Sequence, residues 1–449
     1  MANEKAMQNA PVWKLLLSMS LPMILVMTVN VLYNMADVFF MGRTGETLQV
    51  TAISLAGPVF SALSAFNTLI GFGGCTAVSI SLGKGEQEEV RKYSAFVVYA
   101  SLLLSLALMV TMLLGMNALL PLLGTNTETR GYTASYLKIL ALGSPFMLVG
   151  GALGNTIRAD GDSRGAVLAS LLGTGINLGL DPLFISVFRW GIRGAAWATV
   201  CGNMVSCVLL IILAGRKDAF SISLRDFTLS PDISLRILGL GLPMAAGTLL
   251  MSFSSVFFNR LMVNYGNLAV AARSVSGKIG MLIPMIIMGV CMGIQPAVSY
   301  VFGTGDRKRM RSILLGTGLA STLIATVMAV TCFLLRDVLV ASFITDAEVV
   351  ALGEQMMLST VISAPVYGIY QLCTTYLQGT GKVSFATLSS LLRQGLVYVP
   401  VLYIMDGLLG LMGLIYASAV TDLISTIISV VLCLLHANQL QGMERHTCS

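Results

Sequence analysis

Apolar residues run in long blocks along the chain, and polar residues collect in the short gaps between them. Twelve blocks stand out, at about 13–41, 52–82, 95–116, 132–157, 166–188, 194–214, 233–263, 279–301, 313–335, 352–377, 385–404 and 408–435. Each reaches the length of about 20 residues that a helix needs to cross a bilayer. In hydrocarbon the backbone must satisfy its own polar groups, so such runs are predicted to be helices. The runs are continuous rather than alternating, which excludes a closed β-barrel. The expected fold class is all-α integral membrane.

The pattern also repeats. Leu21-Pro22-Met23 returns as Leu242-Pro243-Met244, and Gly83-x-Gly85-Glu86 as Gly303-x-Gly305-Asp306. Pro145 pairs with Pro365, Gly161 with Gly381, and Gly194-x-x-Trp197-Ala198-Thr199 with Gly413-x-x-Tyr416-Ala417-Ser418. The offset stays close to 220 residues throughout. Each half holds an even number of helices, so both halves enter the membrane from one side. That is a parallel repeat about an axis along the membrane normal. The expected division is an N-terminal six-helix lobe at 1–215, a cytoplasmic linker at 216–232 and a C-terminal six-helix lobe at 233–449.

Only 11% of the 449 residues are charged, against 56% that are hydrophobic. Soluble proteins carry roughly 25% charged residues. A soluble enzyme, a disordered chain and a nucleic-acid binder are all excluded, because this chain cannot cover a water-facing surface. The net charge of +6 reads as loop bias. Basic residues crowd the even-numbered loops, as Lys84, Arg91 and Lys92, then Arg216, Lys217, Arg225 and Arg236, then Arg307, Lys308, Arg309 and Arg311. Both termini are therefore expected in the cytoplasm. The eight cysteines form no C-x-x-C pair and read as small buried hydrophobes. Two histidines, no Walker A sequence and no nucleophile-base constellation leave no case for an enzyme, a cofactor or ATP as the energy source.

Ionisable groups inside spanning helices are costly and mark function by default. The first helix carries Asp37, with Asn30 and Asn34 on the turns before it. The fifth carries Asn177 and Asp181, spaced i, i+4 on one face, and the sixth carries Thr199. Together these oxygens suit a hard cation such as sodium. A close carboxylate pair also suits a proton carrier, because both cannot stay charged in oil. The repeat supplies a control: Phe258, Val397 and Val401 stand opposite Asp37, Asn177 and Asp181, and only Ser418, opposite Thr199, keeps an oxygen. A fold requirement would act on both halves, so the asymmetry points to chemistry. Tyr136, Asn155, Met27, Met35 and Asp422 are secondary candidates for a cavity wall, with Lys138 and Arg393 as further intramembrane cations. Pro22 can bend the first helix.

These residues resemble the multidrug and toxic compound extrusion (MATE) family over essentially the whole chain. The likeness rests on Asp37, Arg158-Ala-Asp-Gly-Asp162, Asn177-Leu-Gly-Leu-Asp181-Pro182, Gly194-Ala-Ala-Trp-Ala-Thr199 and Gln378-Gly-Thr-Gly381. It implies a secondary antiporter of a prokaryotic plasma membrane that expels organic, chiefly cationic amphipathic compounds in exchange for Na⁺ or H⁺, by rocking of two lobes. A monomer in contact with membrane lipid is expected. The DinF-like branch places the coupling site at positions that match Asp37, Asn177, Asp181 and Thr199, with the Ala195 carbonyl completing the shell. If sodium is the coupling ion, these residues are its expected ligands. Another bacterial branch uses acids of the seventh and tenth helices. Here the seventh helix has none, and the tenth has Tyr367 and Gln371, with Glu354 near its start. The alternative reading is a lipid or lipid-linked oligosaccharide flippase of related architecture, which would want several cations lining its cavity.

Overall fold

The computed structural model describes residues 7–42, 47–341 and 347–447, without the side chains at 32–47, 267, 271, 275, 341–347 and 441–449. Among the described residues all regular structure is helical. The long helices are α1 (Val12–Gly42), α2 (Thr47–Lys84), α3 (Gln87–Leu114), α4 (Arg130–Ile157), α5 (Ser163–Pro182), α6 (Ile192–Gly215) and α7 (Pro231–Val263). They continue as α8 (Gly266–Gly280), α9 (Leu282–Thr304), α10 (Arg307–Leu334), α11 (Ala347–Gly379), α12 (Val383–Leu391) and α13 (Tyr398–Thr447). The eighth crossing is longer than its apolar run, because α8 carries Arg273, Lys278 and two serines that hide it from hydropathy.

Eleven stretches are long and apolar enough to span a membrane. The last, Val383–Leu440, has 58 residues. At 1.5 Å per residue that is nearly three times the ~30 Å hydrocarbon core. Gly410, with φ 59° and ψ −137°, breaks α13 and makes two crossings of it. The count of crossings is thus twelve, in agreement with the sequence pattern.

Many hydroxyls inside these helices donate within their own helix, as Ser101 does to the Val98 carbonyl and Thr317 to that of Ile313. Leu315, Leu319, Leu323 and Val327 recur every four residues on α10 and are all exposed. An outward apolar stripe of this kind is a lipid face.

The chain forms two compact units. The first comprises Met1–Asn9, Leu25–Ala245 and Ser299–Gly305; the second comprises Ala10–Ile24, Ala246–Val298 and Asp306–Ser449. The start of α7 belongs to the first unit, and the start of α1 to the second. Glycines explain how. In the first unit a Cβ on Gly73 of α2 would fall on the Ile237 carbonyl oxygen of α7, and one on Gly241 would fall on that of Leu69. In the second unit a Cβ on Gly293 of α9 would sit 2.6 Å from the Ser20 Cα of α1, and one on Gly289 3.0 Å from the Ile24 Cα. Gly73 and Gly293 are repeat equivalents, so the same close crossing is built twice. Small residues let membrane helices approach, since lipid offers no hydrophobic gain to drive them together. Gly241→Ala is expected to cost about 1–3 kcal/mol through overpacking against rigid backbone. Thermal unfolding of the detergent-purified variant, with Gly57→Ala (open space around its Cβ) as the control, measures it.

Candidate functional site

The candidate site is built on α5 and α6. Gly173 and Gly202 bring the two helices together: a Cβ on Gly173 would lie 2.6 Å from the Gly202 oxygen, and one on Gly202 2.5 Å from the Gly173 oxygen. One turn beyond Gly173, Asn177 lies against α6, and its Cβ would be 2.8 Å from a Cβ on Gly202. Asp181 follows a further turn along on the same face. Asn177 is 4% exposed, Asp181 0% and Thr199, one turn before Gly202, 6%. The Asn177 amide bonds to no other group among the described residues. A buried amide without a partner is unfavourable, so it is a place for a ligand or for water.

Local geometry ends α5 just past the carboxylate. Pro182 supplies no N–H, and Leu183–Val187 forms a π-turn, a feature common at functional positions. Gly194 opens the packing on its other side, since a Cβ there would lie 2.8 Å from the Phe184 backbone. The Thr199 hydroxyl donates to the Ala195 carbonyl at 3.0 Å, and the Asn203 amide donates to the Thr199 carbonyl at 2.8 Å. No cluster of three His, Cys, Asp or Glu side chains occurs among the described residues. The Asn177 amide, the Thr199 hydroxyl and the Ala195 carbonyl on these two packed helices are oxygen donors, the kind that suits a hard monovalent cation rather than a transition metal.

The remaining candidates distribute unevenly. Tyr136 is buried on α4 in the apolar core that also holds Ala195, Ala196 and Val200, so it neighbours the site. Asn34, Met35 and Asp37 have side chains outside the described residues. Met27 is half-buried in the first unit, whereas Pro22 belongs to the second. Asn155 accepts a hydrogen bond from Arg158. In the loop that follows, Gly161 takes φ 86°, and Lys217 bridges Asp160 at 2.6 Å and Asp162 at 3.5 Å. That clamp ties the α4–α5 loop to the segment after α6. Lys217→Ala is expected to lower stability by no more than about 1 kcal/mol, the scale of a solvent-screened pair, read from thermal unfolding. Lys138 is exposed, and Asp422 lies in the second unit, paired with Arg393 at 2.7 Å. Sequence reasoning missed the Gly173–Gly202 crossing, although both glycines were visible at helix-packing positions.

Comparison with known proteins yields a consistent set of relatives. The MatE family model matches twice, at residues 22–183 and 243–404, in step with the internal repeat. A multidrug export protein, MepA, of Staphylococcus saprophyticus is 30% identical over 434 residues, covering 96% of each chain. MepA of Staphylococcus aureus is 29% identical over 416 residues, covering 92% of each. Among solved structures, an outward-facing multidrug resistance MATE transporter superposes with a TM-score of 0.92 at 23% identity, covering 98% of this chain and 99% of that one. A MATE protein in a bent conformation gives 0.90 at 23% identity, covering 99% of each. At this identity these structures speak for the twelve-helix, two-lobe fold.

Proposed function

Because the chain belongs to the MatE family, we propose that it exports organic, chiefly cationic amphipathic compounds across a prokaryotic plasma membrane in exchange for Na⁺ or H⁺. In this reading residues 1–215 form the ion-coupling lobe, 216–232 a cytoplasmic linker and 233–449 the second lobe. Both termini are cytoplasmic, and the protein acts as a monomer.

One observation carries the coupling: a carboxylate, Asp181, fully buried in a spanning helix one turn from an unpartnered Asn177 amide. A buried carboxylate in oil is unfavourable unless a cation or a proton accompanies it. An arriving cation therefore stabilises the state in which the site is closed around it, and its release favours another. A ligand shifts an equilibrium only by its differential affinity for the two states, so an ion that discriminates between them can drive cargo. Asp37, one of the four expected coupling residues, adds a second carboxylate from α1. The Thr199 hydroxyl and the Ala195 carbonyl supply further oxygens.

The test is export of ethidium and tetraphenylphosphonium from proteoliposomes under a sodium gradient alone and under a pH gradient alone. Accumulation driven by either gradient supports the proposal and identifies the coupling ion. Accumulation driven by neither would reject it.

A further inference from the structure

Within the first unit, the linker at 216–232 is bound along the flank of α3. The Ser221 N–H donates to Ser94 Oγ at 2.9 Å, and the Tyr99 hydroxyl donates to the Ile222 carbonyl at 2.8 Å. The Phe227 ring packs on those of Tyr99 and Phe96, with centroids 5.2 Å and 6.4 Å apart. Phe96 is buried. Ser94 and Tyr99 straddle the point near residue 95 where the apolar run of α3 begins. The linker therefore lies at the height of the boundary between headgroups and hydrocarbon.

The face of α3 that it covers is a lipid face. Tyr99 is followed at i+4, i+7 and i+11 by Leu103, Leu106 and Val110, all exposed and all on one stripe of the helix. The repeat supplies a control. α3 begins at Gln87 and α10 at Arg307, in register with the repeat offset, so Tyr99 corresponds to Leu319. Leu319 is 74% exposed, in the outward apolar stripe of α10. The same depth and the same face meet lipid in one half and carry the linker in the other.

The linker in turn presents apolar groups. The 3₁₀ turn Leu224–Asp226, capped by Ser223, leaves Leu224 66% exposed, and Leu229 is exposed to the same degree. The charges along it cancel, with Arg216, Lys217 and Arg225 against Asp218, Asp226 and Asp232. A charged partner has no net charge to recognise there. Leucines held in water are unfavourable, whereas a segment with an apolar edge and polar flanks is stabilised at the headgroup–acyl boundary.

We infer that residues 221–229 form an interfacial strap on the membrane. Phe227 fastens it to α3, and Leu224 and Leu229 insert among phospholipid acyl chains just below the headgroups. The occupant of this surface is the lipid leaflet itself, and it needs no net charge. The docking involves neither ion nor cargo, so it stands or falls apart from the export proposed above.

The test places single tryptophans in the full-length protein in phosphatidylcholine nanodiscs. Trp13, Trp190 and Trp197 are first changed to Phe; all three are exposed, so the fold does not depend on them. Leu224→Trp and Leu229→Trp report on the strap, Leu319→Trp is the lipid reference, and Glu88→Trp, in the first turn of α3, is the aqueous one. The quenchers are phosphatidylcholine brominated near the headgroup end of its chains, and iodide in the buffer. Both strap positions are expected to be quenched by the brominated lipid at least about half as strongly as Leu319→Trp, and by iodide at least about fivefold less than Glu88→Trp. Iodide quenching equal to that of Glu88→Trp, with none from the brominated lipid, would overturn the inference and leave the leucines to a protein partner. Lipid quenching that appears only when phosphatidylglycerol is added would also overturn it, because charge rather than the leucines would then hold the segment.

Discussion

Asp181→Asn is expected to abolish gradient-driven export while leaving the protein folded. The replacement keeps the shape and volume of the side chain, and exchanges one acceptor oxygen for an amide donor. What disappears is the charge. A neutral amide has no proton to release and offers a sodium ion a dipole in place of a full negative charge, so occupancy of the site no longer discriminates between conformations. The energetic consequence follows directly. A pH difference of one unit supplies about 1.4 kcal/mol per proton, enough for at most about a tenfold cargo gradient with one proton exchanged. With coupling removed, the steady-state ratio of a probe such as ethidium should fall to one, whatever the gradient imposed. Initial rates of uphill transport should drop at least about a hundredfold, and the thermal midpoint of the purified variant should stay level or rise, because a buried carboxylate is itself destabilising. Retained uphill transport in Asp181→Asn would remove the coupling role from α5. Thr199→Ala makes a useful companion. It deletes one neutral oxygen already engaged by the Ala195 carbonyl, so a partial loss is expected under a sodium gradient and little change under a pH gradient.

Much of this arrangement was legible before any coordinates. Long apolar runs dictate helices because hydrocarbon leaves the backbone no other way to satisfy its polar groups. The i, i+4 spacing of Asn177 and Asp181 places both on one face of α5, and both are buried there. The twofold repeat was readable from scattered glycines and prolines, since turns and close crossings demand those residue types wherever they recur. Three features were not legible, each for a physical reason. Hydropathy cannot see the beginning of the eighth crossing, because α8 mixes Arg273, Lys278 and serines into a helix held by its neighbours. A periodicity argument cannot foresee the π-turns at Leu183–Val187 and Leu392–Leu396, which shift the register by a fraction of a turn and re-aim the side chains around them. Nor can spacing within one helix show that Arg393 meets Asp422 from a different helix. The pairing depends on that shifted register and on the stacked rings of α11 beneath the guanidinium.

The pair itself provides the sharpest contrast between single and double substitution. Arg393→Leu should be severely destabilising, by about 3–5 kcal/mol, because it leaves Asp422 buried with no compensating cation. Asp422→Leu alone should be milder, since Arg393 retains the Tyr367 and Tyr370 ring faces and a half-buried position from which its long stem can reach more polar surroundings. The double variant, Arg393→Leu with Asp422→Leu, should return to within about 1–2 kcal/mol of the wild type, because paired charges in a low-dielectric interior roughly offset their own desolvation and an apolar pair of similar volume packs as well. The first half of the repeat already supports this, as Gly173 and Asn203 hold the equivalent place without any ion pair. Thermal unfolding of the three purified variants measures the stability side. A double variant that stays unfolded would make the pair a structural requirement of the C-terminal unit. One that folds well would show that the fold of the C-terminal unit does not depend on the charge pair.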